Sequence, residues 1–192
     1  PIPRIKGKTV GIIGLGRVGR QVARRLQGFD VHLLACDPYI SREVFTTYHA
    51  EQADLRTLLE QSDIVTIHVP LNKETRGMIS TNELKAMKTT AILINAARGG
   101  IVDEKALLKA LKEKQIAGAG LDVFAKEPPE SSHPFLRMEN VILTPHTGAL
   151  TKDAVGQLAE GAAQNILDVF EGRKPSYSIN WDEVLRKKSN VE

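Results

Sequence analysis

The chain has 192 residues, 42% of them hydrophobic, which suits one globular domain, or one with a small appendage, able to bury a sizeable core. Its net charge is only +3, from 26 Lys and Arg against 23 Asp and Glu; the basic residues are dispersed and 5% of residues are aromatic, which argues against a nucleic-acid partner and leaves attraction for small anions. No apolar stretch approaches the ~20 residues of a membrane span, the start has no apolar signal region, and the single cysteine, Cys36, cannot close an internal disulfide, so a cytoplasmic protein with no membrane partner is expected.

Residues 1–8 read as a polar leader with two prolines. Val10, Ile12 and Ile13 make a buried strand that breaks at Gly14. A helix is expected from about Arg17 to near Gly28, with Val18, Val22 and Leu26 on one face. Gly14, Gly16 and Gly19 fall on G-x-G-x-x-G spacing between the two. Gly14 allows the tight turn, Gly16 lets the backbone approach a pyrophosphate, and Gly19 lets the helix pack close to its strand. The helix start offers N–H groups and positive dipole to phosphates. The same spacing also describes an ordinary strand–turn–helix. A second strand over 31–36, which places Cys36 in the core, ends at Asp37-Pro38. Asp37 lies where an acid hydrogen-bonds the ribose hydroxyls of NAD and repels the 2′-phosphate of NADP, so NAD is the expected cofactor.

Residues 39–53 are expected to hold a loop with a short helix. Asp54 caps a helix carrying Leu55, Leu58 and Leu59, and a third strand over 64–69 stops at Pro70. Ser80-Thr81-Asn82-Glu83 is a capping box that starts a helix over 81–87. Ala91 to Ile94 is a central parallel strand, and Asp103 caps a helix with Ala106, Leu107, Ala110 and Leu111 at helical spacing. Strands over 116–121 and 141–143 flank a proline-rich connection. A long helix from Thr151 to Glu171 is expected to turn Val155, Leu158, Ala162, Ile166 and Phe170 inward and to stop at Gly172. The alternation predicts an α/β fold, a doubly wound parallel sheet of the Rossmann type with helices on both faces. Its ligand belongs beyond the carboxyl ends of the strands. Asp37, His68, Asn95, Arg98, Asp122 and His146 all follow strands, which gathers them on that edge.

Taken singly, Arg98 reads as a surface arginine beside a turn, His146 as a satisfied structural group and Glu127 as a solvated loop carboxylate. Taken together they supply a planar cation for a carboxylate and its neighbouring carbonyl, an acid/base, and a carboxylate that orients the imidazole and favours its protonated form. That set suits interconversion of an alcohol and a ketone beside a carboxylate. No Cys/His cluster suggests a metal.

The chain resembles the D-2-hydroxyacid dehydrogenases from about Gly7 to Asn180, closest in appearance to the D-3-phosphoglycerate dehydrogenases. The matching stretches are 7–19, His-Val-Pro-Leu (68–71) with Thr75-Arg76-Gly77, Asn-Ala-Ala-Arg-Gly-Gly (95–100), Gly-Leu-Asp-Val-Phe (120–124) with Glu127-Pro128, and Thr-Pro-His-Thr-Gly (144–148). Arg98, Glu127 and His146 follow in that order, 29 and 19 residues apart. The resemblance implies that Arg98 binds the substrate carboxylate and carbonyl, that His146 exchanges the hydroxyl proton, and that Glu127 pairs with His146. It places Arg17 and Val18 at the pyrophosphate, Asp37 and Pro38 at the adenosine ribose, and His68, Val69, Pro70 and Thr75 on the adenosine side. Asp122 would hold the nicotinamide carboxamide, with Ala96, Ala97 and Gly148 lining that pocket. The substrate is a 2-hydroxy or 2-oxo acid, with 3-phosphoglycerate favoured over glyoxylate or hydroxypyruvate.

Relatives carry a substrate domain before the glycine-loop strand. The expected division is therefore a leader over 1–8, an NAD-binding domain over 9–174, and a tail over 175–192 that returns to a substrate domain mostly absent here. Tyr177, Ile179, Trp181, Val184 and Leu185 would then be loosely held, and the basic run Arg186-Lys187-Lys188 falls in the same tail. The full-length protein is expected to be a homodimer. A second reading is an NAD-sensing protein like the carboxy-terminal-binding-protein corepressors; turnover of a 2-hydroxy acid, against NAD-dependent partner binding, separates the two.

Overall fold

The computed structural model describes residues 4–183. The start of the leader, Val184 and Leu185, and the basic run Arg186–Lys188 lie outside the described residues. The chain divides into two compact units, one ending at His146 and the other beginning at Thr147.

The first unit is a seven-stranded parallel sheet with helices between its strands. Its strands are β1 (Thr9–Ile13), β2 (His32–Cys36), β3 (Glu51–Gln52), β4 (Ile64–Ile67), β5 (Ile92–Asn95), β6 (Gly118–Leu121) and β7 (Val141–Leu143). Its helices are α1 (Arg17–Leu26), α2 (Arg42–Thr47), α3 (Leu55–Gln61), α4 (Thr81–Ala86) and α5 (Glu104–Lys112). The spatial order is β3-β2-β1-β4-β5-β6-β7. The chain runs outward from β1 to β3, then returns to lay β4 on the other side of β1. The order therefore reverses between β1 and β4, and a crevice opens beyond the carboxyl ends at such a point.

β3 is a correction. The stretch 39–53 was expected to be loop and one short helix, yet Glu51 and Gln52 pair with Leu34 and Ala35 of β2. Two exposed polar residues at a sheet edge carry no apolar pattern, so periodicity is blind to them.

The centre of the sheet is buried because its strands there are apolar on both faces. Ile12, Ile67 and Leu93 are fully buried, each contributing about 1.5–3 kcal/mol by removal from water. The helix starts agree with their sequence signals. Asp54 accepts Thr57 N at 2.8 Å, Asp103 accepts Lys105 N at 2.9 Å, and Ser80 with Glu83 forms the capping box. α1 departs from expectation in part. Val22 and Leu26 pack against the core as expected, but Val18 is 61% exposed, and Gly19 and Ala23 are the buried positions.

Asp63 ties the amino ends of three strands together. Its carboxylate accepts Thr9 N at 2.9 Å and Lys88 Nζ at 3.1 Å, and its carbonyl accepts Ile92 N at 3.0 Å. Burial alone would raise its pKa; the bonds from Thr9 and Lys88 outweigh burial and hold the carboxyl below its usual range.

The second unit contains α6 (Lys152–Phe170). Thr151 caps it by accepting Ala154 N at 3.1 Å. Gly172, at φ +72°, ends it. Arg173 N bonds Asp168 O and Gly172 N bonds Val169 O, the paired closure of a Schellman motif. Within this unit the apolar face expected inward is not covered: Leu158 is 76% and Phe170 84% exposed, and Asp168 is the buried residue of this helix, held by Arg173 and Gln164. Periodicity shows which residues share a helix face, not that a partner covers it. Within this unit, among the described residues, a short following segment packs back, where Ile166, Val169, Pro175 and Tyr177 line a shallow hollow. Tyr177 and Ile179 are exposed. No helix among the described residues is long and apolar enough to cross a membrane.

Candidate functional site

Beyond β1, β2 and β4 the glycine turn has little steric freedom. Gly14 sits at φ +90°, and a Cβ there would lie 2.7 Å from Val69 Cγ1 and 3.0 Å from the His68 backbone. A Cβ on Gly19 would lie 2.1 Å from Gly14 O, so only glycine lets α1 start this close to the end of β1. Above Gly16 there is open space, with nothing within 4 Å of an added Cβ. Gly16 is also the N-cap of α1 and provides no side-chain cap, so the first-turn N–H groups at Arg17 and Val18 have no helical partner.

Asp37 binds this turn to the end of β2. Its Oδ2 accepts Leu15 N at 2.9 Å and its Oδ1 accepts Tyr39 N at 3.0 Å. Thr75 folds the loop after β4 in the same way: its hydroxyl donates to Pro70 O at 2.6 Å and accepts Asn72 N at 2.9 Å. Between these segments lies a cavity of about 290 Å³. Gly14, Gly16, Asp37, Pro38, His68, Val69, Pro70 and Thr75 all line it. Cys36 also lines it, half-buried, where the sequence placed it in the core; it is the last residue of β2, where the strand opens into the crevice. Burial lowers the His68 pKa, which favours the neutral ring, and its Nε2 lies 3.0 Å from Thr66 Oγ1. Open backbone at Gly16, a carboxylate with lone pairs to spare and apolar walls fit a dinucleotide with a free ribose.

Beyond β5, β6 and β7 a second arrangement forms. Buried Asn95 shapes the turn after β5: its Nδ2 donates to Arg98 O at 3.0 Å and its Oδ1 accepts Ala97 N at 3.1 Å. A Cβ on Gly99 would lie 1.8 Å from Phe124 O, so the backbones of the loops after β5 and β6 are in direct contact. The second loop carries Glu127, joined to Pro128 by a cis peptide bond. Glu127 Oε1 accepts Phe124 N at 2.9 Å, and its Oε2 lies 2.8 Å from His146 Nδ1. The His146 hydrogen bond, followed by the one from Phe124, holds the Glu127 carboxyl below its usual range. Its ionised form then fixes Nδ1–H as the donor and leaves Nε2 as the exchangeable nitrogen. His146 lies at φ 54°, uncommon for a residue with a side chain and a mark of backbone held in place.

Glu127 and His146 line a cavity of about 430 Å³ with Asp122, Phe124, Leu143 and Thr144. Asp122 is 9% exposed and accepts the Thr144 hydroxyl. Of the catalytic candidates, then, the fold bonds Glu127 to His146 and sets Asp122 beside them. Arg98 stands on the adjoining loop with exposed Ala96 and half-buried Ala97; its Nη1 donates to Ala97 O at 2.6 Å, and the fold does not bring it onto the pair. Gly148 belongs to the second unit. The sequence reading missed Thr144, although it sits in the quoted Thr-Pro-His-Thr-Gly stretch, and Tyr39, although it adjoins Asp37-Pro38. Nothing in the sequence alone points to Asn72 or Glu74, which line the cavity beyond β1, β2 and β4.

Residues 1–148 match the family model for the D-isomer specific 2-hydroxyacid dehydrogenase, NAD binding domain. The chain is 50% identical over 185 residues to a glyoxylate reductase of Thermofilum pendens, covering 96% of this chain and 54% of that one. It is 43% identical over 176 residues to a D-3-phosphoglycerate dehydrogenase of Archaeoglobus fulgidus, covering 92% and 33%. Its fold superposes with a TM-score of 0.86 on the NAD-complexed form of a D-isomer specific 2-hydroxyacid dehydrogenase from Lactobacillus delbrueckii ssp. bulgaricus, at 34% identity, covering 94% and 58%. The chain thus spans between a third and three-fifths of the length of these proteins.

Proposed function

The chain belongs to the D-isomer specific 2-hydroxyacid dehydrogenases, as their NAD-binding domain, and from that premise we propose that the full-length protein interconverts a D-2-hydroxy acid and its 2-oxo acid, with His146 as the acid/base. The 2.8 Å bond between His146 and Glu127 carries the reading. Glu127 orients the imidazole through Nδ1. Nε2 takes the hydroxyl proton when the alcohol is oxidised and returns it when the ketone is reduced. Arg98 leaves the Ala97 carbonyl to grip the substrate carboxylate with its planar fork and polarise the adjacent carbonyl. NAD, when bound, supplies the hydride acceptor. Gly16, Arg17 and Val18 receive its pyrophosphate, on a turn that Gly14 and Gly19 make possible, and Asp37 and Pro38 its ribose. His68, Val69, Pro70 and Thr75 wall the adenosine. Asp122 takes the carboxamide, near Ala96 and Ala97.

For the acid itself, 3-phosphoglycerate is the substrate read from the sequence. Glyoxylate is the second reading, favoured by the 50% identity to a protein named glyoxylate reductase. The test is calorimetric titration of the full-length protein with NAD and NADP, followed by kcat/KM for 3-phosphoglycerate oxidation and glyoxylate reduction. NAD binding at least ~10-fold tighter than NADP is expected, since an acid at the ribose opposes the 2′-phosphate. Absence of NAD binding, or turnover of neither acid, sinks the proposal. The ratio of the two kcat/KM values decides the substrate.

A further inference from the structure

The cavity beyond β1, β2 and β4 has an outer rim made of two side chains from distant segments. The Tyr39 hydroxyl donates to Glu74 Oε2 at 2.6 Å, although the tyrosine is 78% exposed. A surface bond between two long side chains normally loses most of its value to rotamer entropy. Here both ends are placed by backbone bonds. Tyr39 N donates to Asp37 Oδ1 at 3.0 Å, and Glu74 N donates to Asn72 Oδ1 at 2.9 Å. Thr75 N shares that Asn72 oxygen at 2.9 Å, so the loop holding Glu74 is closed by a side-chain turn. The bond to Glu74 also raises the Tyr39 pKa further above neutrality.

The charge around this cavity has one sign. Asp37 and Glu74 both line it, no Lys or Arg does among the described residues, and burial lowers the pKa of His68, the histidine on its wall. A monoester phosphate would meet two carboxylates and no fixed cation, whereas a free ribose would meet acceptors for its hydroxyls.

We propose that Tyr39 and Glu74 form a clasp over the adenosine compartment, and that Glu74 is a second determinant of NAD over NADP alongside Asp37. The inference rests on the placement of the adenosine half in this cavity. The clasp joins the segment after β2 to the loop after β4, so the ribose would be enclosed between two strands' ends. Glu74 acts through its charge and Tyr39 through the bond.

Calorimetric titration of the full-length protein with NAD and with NADP tests both roles. Glu74→Gln keeps an acceptor for the tyrosine and removes the charge. NADP affinity is expected to rise about three- to five-fold with NAD affinity within about two-fold of wild type, the scale of one exposed charge interaction. That gain should shrink as salt is added. Tyr39→Phe keeps the ring and the Glu74 charge and deletes the bond. NAD affinity is expected to fall about two- to three-fold with the NAD/NADP ratio retained. If Glu74→Gln binds NAD with an unchanged NAD/NADP ratio, Glu74 is not a determinant, and the inference falls while the adenosine placement stands. Unchanged NAD affinity in Tyr39→Phe removes the clasp. If Asp37→Asn also leaves both affinities unchanged, the adenosine placement itself is wrong, and the inference goes with it.

Discussion

Between β1, β2 and β4 two polar side chains of the site are already committed to backbone: Asp37 to Leu15 and Tyr39, Thr75 to Pro70 and Asn72. Beyond β5, β6 and β7 the functional bond joins two solvent-exposed side chains, Glu127 and His146, and the third candidate, Arg98, rests on its own loop. The first half holds its shape without a ligand. The second holds the Glu127–His146 pair in shape, anchored by Phe124 N, and leaves the Arg98 side chain to whatever enters. A site divided in this way should separate its failures, with damage on the first half read as lost affinity and damage on the second as lost turnover.

His146→Ala is the largest test of that separation. In the full-length protein it should lower kcat by about 10²–10⁴-fold, the usual worth of a general acid/base, and leave NAD affinity within about two-fold. A parallel loss of NAD affinity in calorimetry would show that the two halves are one structure. Gly99→Ala attacks the joint between the loops after β5 and β6, where a Cβ would lie 1.8 Å from Phe124 O. Backbone must move, at a cost of about 1–3 kcal/mol, read as a lower Tm. Turnover should fall further than NAD affinity, because the displaced loops carry Arg98 and Glu127. An unchanged Tm would mean that the loops have room to part.

The smallest effect lies at the opposite edge and tests whether stability is separable from both halves. The folded Asp63 carboxyl is held below its usual range, so its contribution is present above the ordinary carboxylate pKa near 4 and is lost as pH falls through the depressed value. Asp63→Asn should cost about 1–2 kcal/mol at neutral pH and flatten the acid side of the stability curve, as followed by urea unfolding against pH. NAD affinity at neutral pH should not change. A variant that keeps the wild-type acid slope would assign that slope to other carboxylates.

Strands were legible wherever an apolar run was long enough to be buried on both faces, as at Ile12–Ile13 and Leu93–Ile94. β3 escaped because Glu51 and Gln52 join the sheet through backbone alone. The Schellman closure at Gly172 was legible from one glycine, but the covering of α6 was not, since a helix sequence records its own apolar face and nothing about a neighbour. At the site, the strand-end rule brought Asp37, His68, Asp122 and His146 to one edge because parallel strands share a direction. The positive φ of His146 and the Tyr39–Glu74 bond stayed hidden. Both depend on how separate segments meet in space, and spacing along the chain carries no trace of that.

The double anchoring of Asp37 has a consequence for anyone redesigning the cofactor preference. Its two carboxylate oxygens each receive one main-chain N–H, so the residue proposed to face the ribose is also the rivet of the turn. Exchanging it for arginine to admit a phosphate would strip acceptors from Leu15 and Tyr39 in the same stroke, and selectivity and folding would change together. An engineer seeking one without the other has a freer handle at the rim, where Glu74 has no main-chain donor among its described bonds.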